Sequence, residues 1–166
     1  MGFLEGTNIT SDSLIAVTLF DDSQYYPGPG FDLTGDQLFP VTITGKEYIG
    51  VKGKLYSYTN EHIFITAIQN NTTVEVNGIY KATINAGQTY DVTDFYPTGA
   101  DPSYVYIKTN YNAYAYQVTG NGKELTASIL PPVDKCTGSN SAGFTRSPLG
   151  SDSLRFFANI LIQRMP

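Results

Sequence analysis

Four aspartates, Asp21, Asp22, Asp32 and Asp36, with Gln37 beside the last, crowd a Gly/Pro-rich stretch near the start of the chain. Calcium takes roughly six to eight hard oxygen donors from carboxylates and carbonyls on flexible loops, so a surface calcium site is one chemistry open to this cluster. The spacing fits no EF-hand loop, and aspartate in such a stretch equally starts turns by bonding its own backbone two residues on. The only histidine, His62, follows Glu61. A nucleophilic triad would need a serine such as Ser57 or Ser103 at its imidazole, and neither a Gly-x-Ser-x-Gly elbow nor an oxyanion-hole glycine run accompanies them. The expectation for His62 is a half-buried or solvent-facing position on a strand. Glu47, Glu61, Glu75 and Glu124 stand singly, whereas glycoside hydrolysis needs two carboxylates at a fixed separation across a cleft.

The tyrosines make the stronger case for binding. Tyr104, Tyr106, Tyr111, Tyr114 and Tyr116 fall in one short segment. Tyrosine is rigid and amphipathic, so a cluster of exposed phenols makes a good contact surface for protein or sugar. The same rings also serve as cross-strand pairs, each worth about 0.2–1 kcal/mol to a sheet. Cys136 is the single cysteine. It excludes an internal disulfide and a cysteine-based zinc site, and leaves either a reactive thiol beside Lys135 or a residue that pairs outside the chain.

The elements that must carry these groups are strands. The chain has 166 residues, enough for one domain with a sizeable core. It holds 13 Tyr, 9 Phe, no Trp and only 15% charged residues, and the abundance of Thr, Val and Ile suits a pleated, half-buried surface. A net charge of −5 weighs against nucleic acid, whose binding rests on clustered Lys and Arg. No run approaches the ~20 apolar residues of a membrane helix. Met1 to Glu5 has neither a basic start nor an apolar run, so it is no signal peptide. The expectation is a piece excised from a longer secreted or cell-surface chain.

Leu14 to Phe20 reads as a strand closed by Asp21-Asp22-Ser23, and Tyr26 to Gly35 as turn chemistry. Val41 to Thr44 and Tyr48 to Val51 read as a strand pair about Gly45, followed by Leu55 to Tyr58. From His62 to Asp94, alternating runs are joined at Asn70-Asn71, Asn77-Gly78 and Asn85-Ala86-Gly87. Asn-Gly between β-branched runs is the strongest short hairpin signal, since both central residues of a type I′ turn need positive φ. Tyr104 to Thr109 and Ala113 to Thr119 read as a hairpin about Asn110-Tyr111-Asn112. Leu125 to Leu130 stops at Pro131-Pro132, because proline cannot donate to a ladder. Gly143 to Arg146 reads as a further short strand, and Leu154 to Gln163 leans to strand. About a dozen short strands at roughly ten-residue spacing predict an all-β, hairpin-rich, two-sheet sandwich, of which a jelly roll is one form.

Several words of the sequence carry a family likeness: Gly35-Asp36-Gln37-Leu38-Phe39-Pro40, Gly45-Lys46-Glu47-Tyr48-Ile49, Gln69-Asn70-Asn71-Thr72-Thr73-Val74, Asn85-Ala86-Gly87-Gln88-Thr89-Tyr90, Ile129-Leu130-Pro131-Pro132 and Cys136-Thr137-Gly138-Ser139. In this order they resemble the IgGFc-binding-protein N-terminal-like region of large secreted and surface proteins, notably the gliding-motility-associated kind in Bacteroidetes. The resemblance runs from about Ile9 to Gln163. It implies a non-catalytic β module of a multidomain surface protein, with no catalytic residues to transfer. Where that pattern has Gly-Cys-Glu, this chain has Gly122-Lys123-Glu124, which leaves Cys136 single.

The reading is therefore a short leader over residues 1–8 and one β-sandwich domain over 9–166, either undivided or as two compact subdomains. Its function is expected to be extracellular adhesion: contact with a glycan or protein ligand through the five tyrosines, with calcium at Asp21, Asp22, Asp32 and Asp36 as the one candidate cofactor. Partners would also include neighbouring domains of the parent chain, but not nucleic acid or the membrane interior. The alternative is a structural spacer or self-assembling domain with no soluble ligand.

Overall fold

A computed structural model describes residues 6–25, 31–52, 54–55, 61–92, 104–122 and 124–135. Among these residues ten strands run in chain order: β1 (Val17–Tyr25), β2 (Phe31–Leu38), β3 (Gly45–Val51), β4 (Lys54–Leu55), β5 (His62–Ala67), β6 (Thr72–Val76), β7 (Ile79–Ile84), β8 (Thr89–Asp91), β9 (Tyr104–Gly122) and β10 (Glu124–Ile129). The only helical pieces among the described residues are two single 3-10 turns, Val41–Ile43 and Val133–Lys135. The all-β sandwich expected from the sequence is present.

The architecture is organised by β9. Its first half pairs with β3 on one side and β6 on the other, and its second half pairs with β5 and β10. With β7 beside β6 and β8 beside β5, this makes two four-stranded layers joined through one shared strand. The two-residue β4 adds a short parallel pairing at the far end, Lys54 to Asn121. Alternation along β9 explains how one strand serves both layers. Val105, Ile107 and Thr109, then Ala113, Ala115 and Gln117, are all buried, so one face of the strand lines the interior on both sides of the bend. Tyr48, Val74, Val76 and Ile84 meet them from the first layer, and Ile63, Ile65, Ala67 and Val92 from the second, in one continuous core. The layers approach so closely that a Cβ at Gly50 would collide with Ile63 Cδ1. Buried Gln117 crosses between them, accepting from Val51 N and donating to Val51 O.

Some of the turns expected from the sequence are present and others are replaced. Asn77 and Gly78 have φ of 52° and 79°, as the type I′ turn between β6 and β7 requires. Asn70-Asn71 and Asn85-Ala86-Gly87 instead carry the chain from one layer to the other, because β5 and β6 each pair with β9 rather than together. The hairpin expected about Asn110-Tyr111-Asn112 is a bend within continuous β9. None of these residues has positive φ. Partners distant in sequence hold the bend: Asn110 Oδ1 accepts from Thr73 N, its Nδ2 donates to Asn71 O, and the Thr109 hydroxyl donates to Lys46 O.

Val41–Ile43 is a 3-10 turn, not a strand: Ile43 N bonds back to Pro40 O, and the Thr44 hydroxyl closes on Val41 O. Asp21-Asp22-Ser23 does not end β1, which absorbs the excess as a bulge between Asp21 and Gln24. Residues 31–35, read as turn, belong to β2. Gly35 is tolerated there because Phe20 lies over it, its Cβ only 2.9 Å from where a glycine Cβ would be. β10 ends before Pro131-Pro132 as expected. The expectations for Tyr26 to Gly30, Tyr56 to Tyr58, Gly143 to Arg146 and Leu154 to Gln163, and for Ser57, Ser103 and Cys136, lie outside the described residues.

Candidate functional site

Hairpin β1–β2 forms a third, two-stranded sheet. In its register Val17, Leu19 and Asp21 share a face with Leu38, Asp36 and Thr34. That face turns toward the second layer, with β2 packed on β10. Below it Val118, Leu125 and Ala127 bury a small apolar cluster together with Phe64 and Tyr116. The layer β10–β9–β5–β8 is thus covered on both faces near β10, while towards β5 and β8 the cover is open.

There the structure has a groove of about 710 Å³. Its floor is Phe64 and Thr66 of β5, Thr89 and Asp91 of β8, and Tyr114 and Tyr116 of β9. One wall is Val17, Thr18 and Leu19 of β1 with Leu38, and the other is the N-terminal segment at Gly6, Thr7 and Ile9. Most of the lining is apolar. The polar groups are mutually engaged: the Thr66 and Thr89 hydroxyls lie 2.8 Å apart, and His62 Nδ1 is 2.9 Å from Asp91 Oδ2. The His62 ring stacks on Phe64, centroids 5.3 Å apart and 6° from parallel. His62 is half-buried on a strand, as expected, and at the groove's edge.

The five tyrosines are divided by the bend in β9. Tyr114 and Tyr116 line the groove. Tyr104 and Tyr106 lie on the outward side of the other layer, and Tyr111 is exposed at the bend itself. Tyr114 is fixed by donating to Phe39 O at 2.7 Å, with the two rings 5.6 Å apart. Burial raises its phenol pKa. Tyr116 is raised chiefly by burial and further by the charges of Asp36 and Asp21. The Thr34 hydroxyl, buried without a well-aligned hydrogen bond of its own, lies close enough to that phenol to offset part of the rise. Tyr106 is pushed up to about 12, by desolvation first and then by its hydrogen bond and proximity to Glu47.

Of the four aspartates, Asp21 and Asp36 fall on the same inner face of the hairpin as diagonal neighbours. The Asp36 carboxylate accepts from Ile129 N at 2.8 Å and from Gln37 N at 2.7 Å, tying β2 to β10. The side chains of Asp22 and Asp32 lie outside those described. Among the described residues no group of three or more His, Cys, Asp or Glu side chains converges in a way that would hold a metal.

The Asp36 tie makes a prediction. Asp36→Ala strands the half-buried Ile129 N–H and removes a charge-assisted bond, so it should cost about 1–3 kcal/mol. A chemical-denaturation midpoint that falls at unchanged m checks this.

Of the residues that line this groove, the sequence singles out Tyr114 and Tyr116 as contact candidates but not Phe64, Thr66, Thr89, Asp91 or Leu19. The signal for the first two was present in the alternation His62, Phe64, Thr66 against Ile63, Ile65, Ala67, which marks a strand with both faces in use.

A family model described as IgGFc binding protein matches residues 2–159. No curated protein and no solved structure matches the chain.

Proposed function

Since the chain belongs to the IgGFc binding protein family, a family of binding modules, we propose that it is a non-catalytic adhesion module of a larger bacterial surface protein, holding an extracellular protein or glycan ligand in the groove between β1 and the β5–β8–β9 floor. The observation that carries this reading is the groove itself: an apolar recess with a few fixed polar groups is the ordinary form of a ligand site. Two of the five tyrosines singled out for contact, Tyr114 and Tyr116, stand in its floor.

The test is an array of glycans, mucins and immunoglobulins probed with the labelled chain, once with calcium and once with chelator, beside a Leu19→Arg variant. Leu19 is 40% exposed on the groove wall, so the arginine should obstruct the recess without disturbing the core. Saturable binding by the parent chain, weakened at least about tenfold in the variant at unchanged Tm, is expected. A blank array from protein with a cooperative melt would overturn the reading in favour of a spacer. One observation favours that second reading: Phe20 and Leu33, each 66% exposed, share the outer face of the hairpin, where a neighbouring domain would find an apolar seat.

A further inference from the structure

Three strands bring the side chains of the groove floor into rows. Across β8, β5 and β9 the paired positions are Asp91, Phe64 and Tyr116 in one row and Thr89, Thr66 and Tyr114 in the next. All six line the groove. Neighbouring strands lie about 4.8 Å apart, so a carboxylate, an apolar ring and a phenol follow one another at that spacing along the first row. Val17, Leu19 and Leu38 on one wall and Ile9 on the other add apolar surface.

The polar groups of the second row are committed to partners within the protein. The Thr66 and Thr89 hydroxyls bond each other at 2.8 Å, and the Tyr114 hydroxyl donates to Phe39 O at 2.7 Å. Asp91 differs. Its Oδ2 lies 2.9 Å from His62 Nδ1, yet the side chain is 42% exposed, and a carboxylate with two oxygens can accept further bonds. At the other end of the first row the charges of Asp36 and Asp21 act on the Tyr116 phenol. Among the described lining residues none is Lys or Arg.

We propose that the ligand of the groove is a protein that seats an apolar side chain over Phe64 and sets a Lys or Arg beside it against Asp91; the inference rests on the groove being the binding site and names its ligand class. A sugar entering the recess would give up the water on its hydroxyls to a floor whose Thr66, Thr89 and Tyr114 groups already have partners, and hydrogen bonds lost without replacement weigh against binding. An apolar side chain gives up none and gains the burial. Neighbouring residues of a loop readily hold an apolar and a cationic group at the separation of Phe64 and Asp91, and one such buried anchor carries much of the affinity of a protein contact. An acidic partner meets like charge at both ends of the first row.

The experiment selects short cyclic peptides of random sequence, displayed on phage, on the full chain, with a parallel selection on Leu19→Arg to remove those that bind elsewhere. The survivors are synthesised and titrated against the full chain, with each apolar residue replaced by Ala and each Lys or Arg by Gln or Glu. Survivors that join an apolar residue to a Lys or Arg are expected, and either replacement should weaken them at least about tenfold, Glu more than Gln. Asp91→Asn should erase the preference for Lys over Gln. In the parent chain added salt should shrink it, a readout that needs no variant. Survivors without a basic residue, or indifferent to its replacement, would overturn the inference. So would a glycan from the array whose binding Leu19→Arg blocks, with no peptide selected, an outcome that keeps the groove as the binding site. Blank results from peptides and array alike, with protein that melts cooperatively, would overturn both readings.

Discussion

Ile107→Ala is expected to lower the stability of the chain by about 2–5 kcal/mol, the range for truncating a large buried aliphatic side chain. Ile107 is fully buried and stands opposite Tyr48 on one neighbour and Val76 on the other, so little can move in to fill the space it leaves. A typical domain has about 5–15 kcal/mol in total, and this one substitution would remove a large share of it. Both layers share β9, so the loss should appear as one cooperative transition at a lower denaturant midpoint. Two separated transitions would show that the layers fold independently, and a loss under about 1 kcal/mol would show that the core around Ile107 repacks freely.

Tyr48→Phe is expected to cost about 2–6 kcal/mol, although it removes a single oxygen. The Tyr48 hydroxyl is buried, accepts from Gly45 N at 3.0 Å and donates to Ala113 O. It joins the start of β3 to the bend where β9 changes layer. Phenylalanine would leave a buried donor and a buried acceptor unpaired, at about 1–3 kcal/mol for each.

The same hydroxyl gives the protein an alkaline limit. Burial pushes the Tyr48 phenol from 10.0 up to about 12, with the Asp134 and Tyr114 neighbourhood adding to the rise and the Gly45 backbone opposing it. The unfolded chain therefore releases this proton first. Below pH 10 the contribution is fully present; between about 10 and 12 the unfolded state binds fewer protons than the folded one, so stability falls as pH rises. The fall amounts to about 3 kcal/mol across the window. Tyr48→Phe should be less stable than the parent at pH 8, yet lose less between pH 10 and 12. Urea midpoints for both proteins across that range check the sign, and parallel slopes would refute the assignment to Tyr48.

Much of the fold could be read from short-range pattern. The alternation of Ile63, Ile65 and Ala67, the Asn77-Gly78 turn and the stop at Pro131-Pro132 are local effects, and the structure has them all. What was missed depended on partners remote in sequence. Asn110 reads as a turn residue until Thr73 and Asn71 are found on its amide. Gly35 reads as a turn residue until Phe20 is found above it. The lining of the groove was half legible for the same reason. Tyr114 and Tyr116 announce themselves by type, but their separation from Tyr104 and Tyr106 is decided by the bend. The groove itself draws on β1, β5, β8 and β9, which no short window of sequence brings together.

The shared strand has a consequence for how the chain is made. Among the described residues β3, β4 and β10 have no strand partner except β9, which begins at Tyr104. As the polypeptide emerges in order, β1–β2, β6–β7 and β5–β8 can close early, but they remain separate ribbons with apolar faces in water. Only when β9 arrives can the ribbons be collected, and these contacts span long stretches of chain, which slows folding. The nascent protein therefore passes through an interval in which Ile63, Ile65, Val74 and Val76 have no cover. Its yield during synthesis should depend on how long that interval lasts and on what shields those residues until β9 is complete.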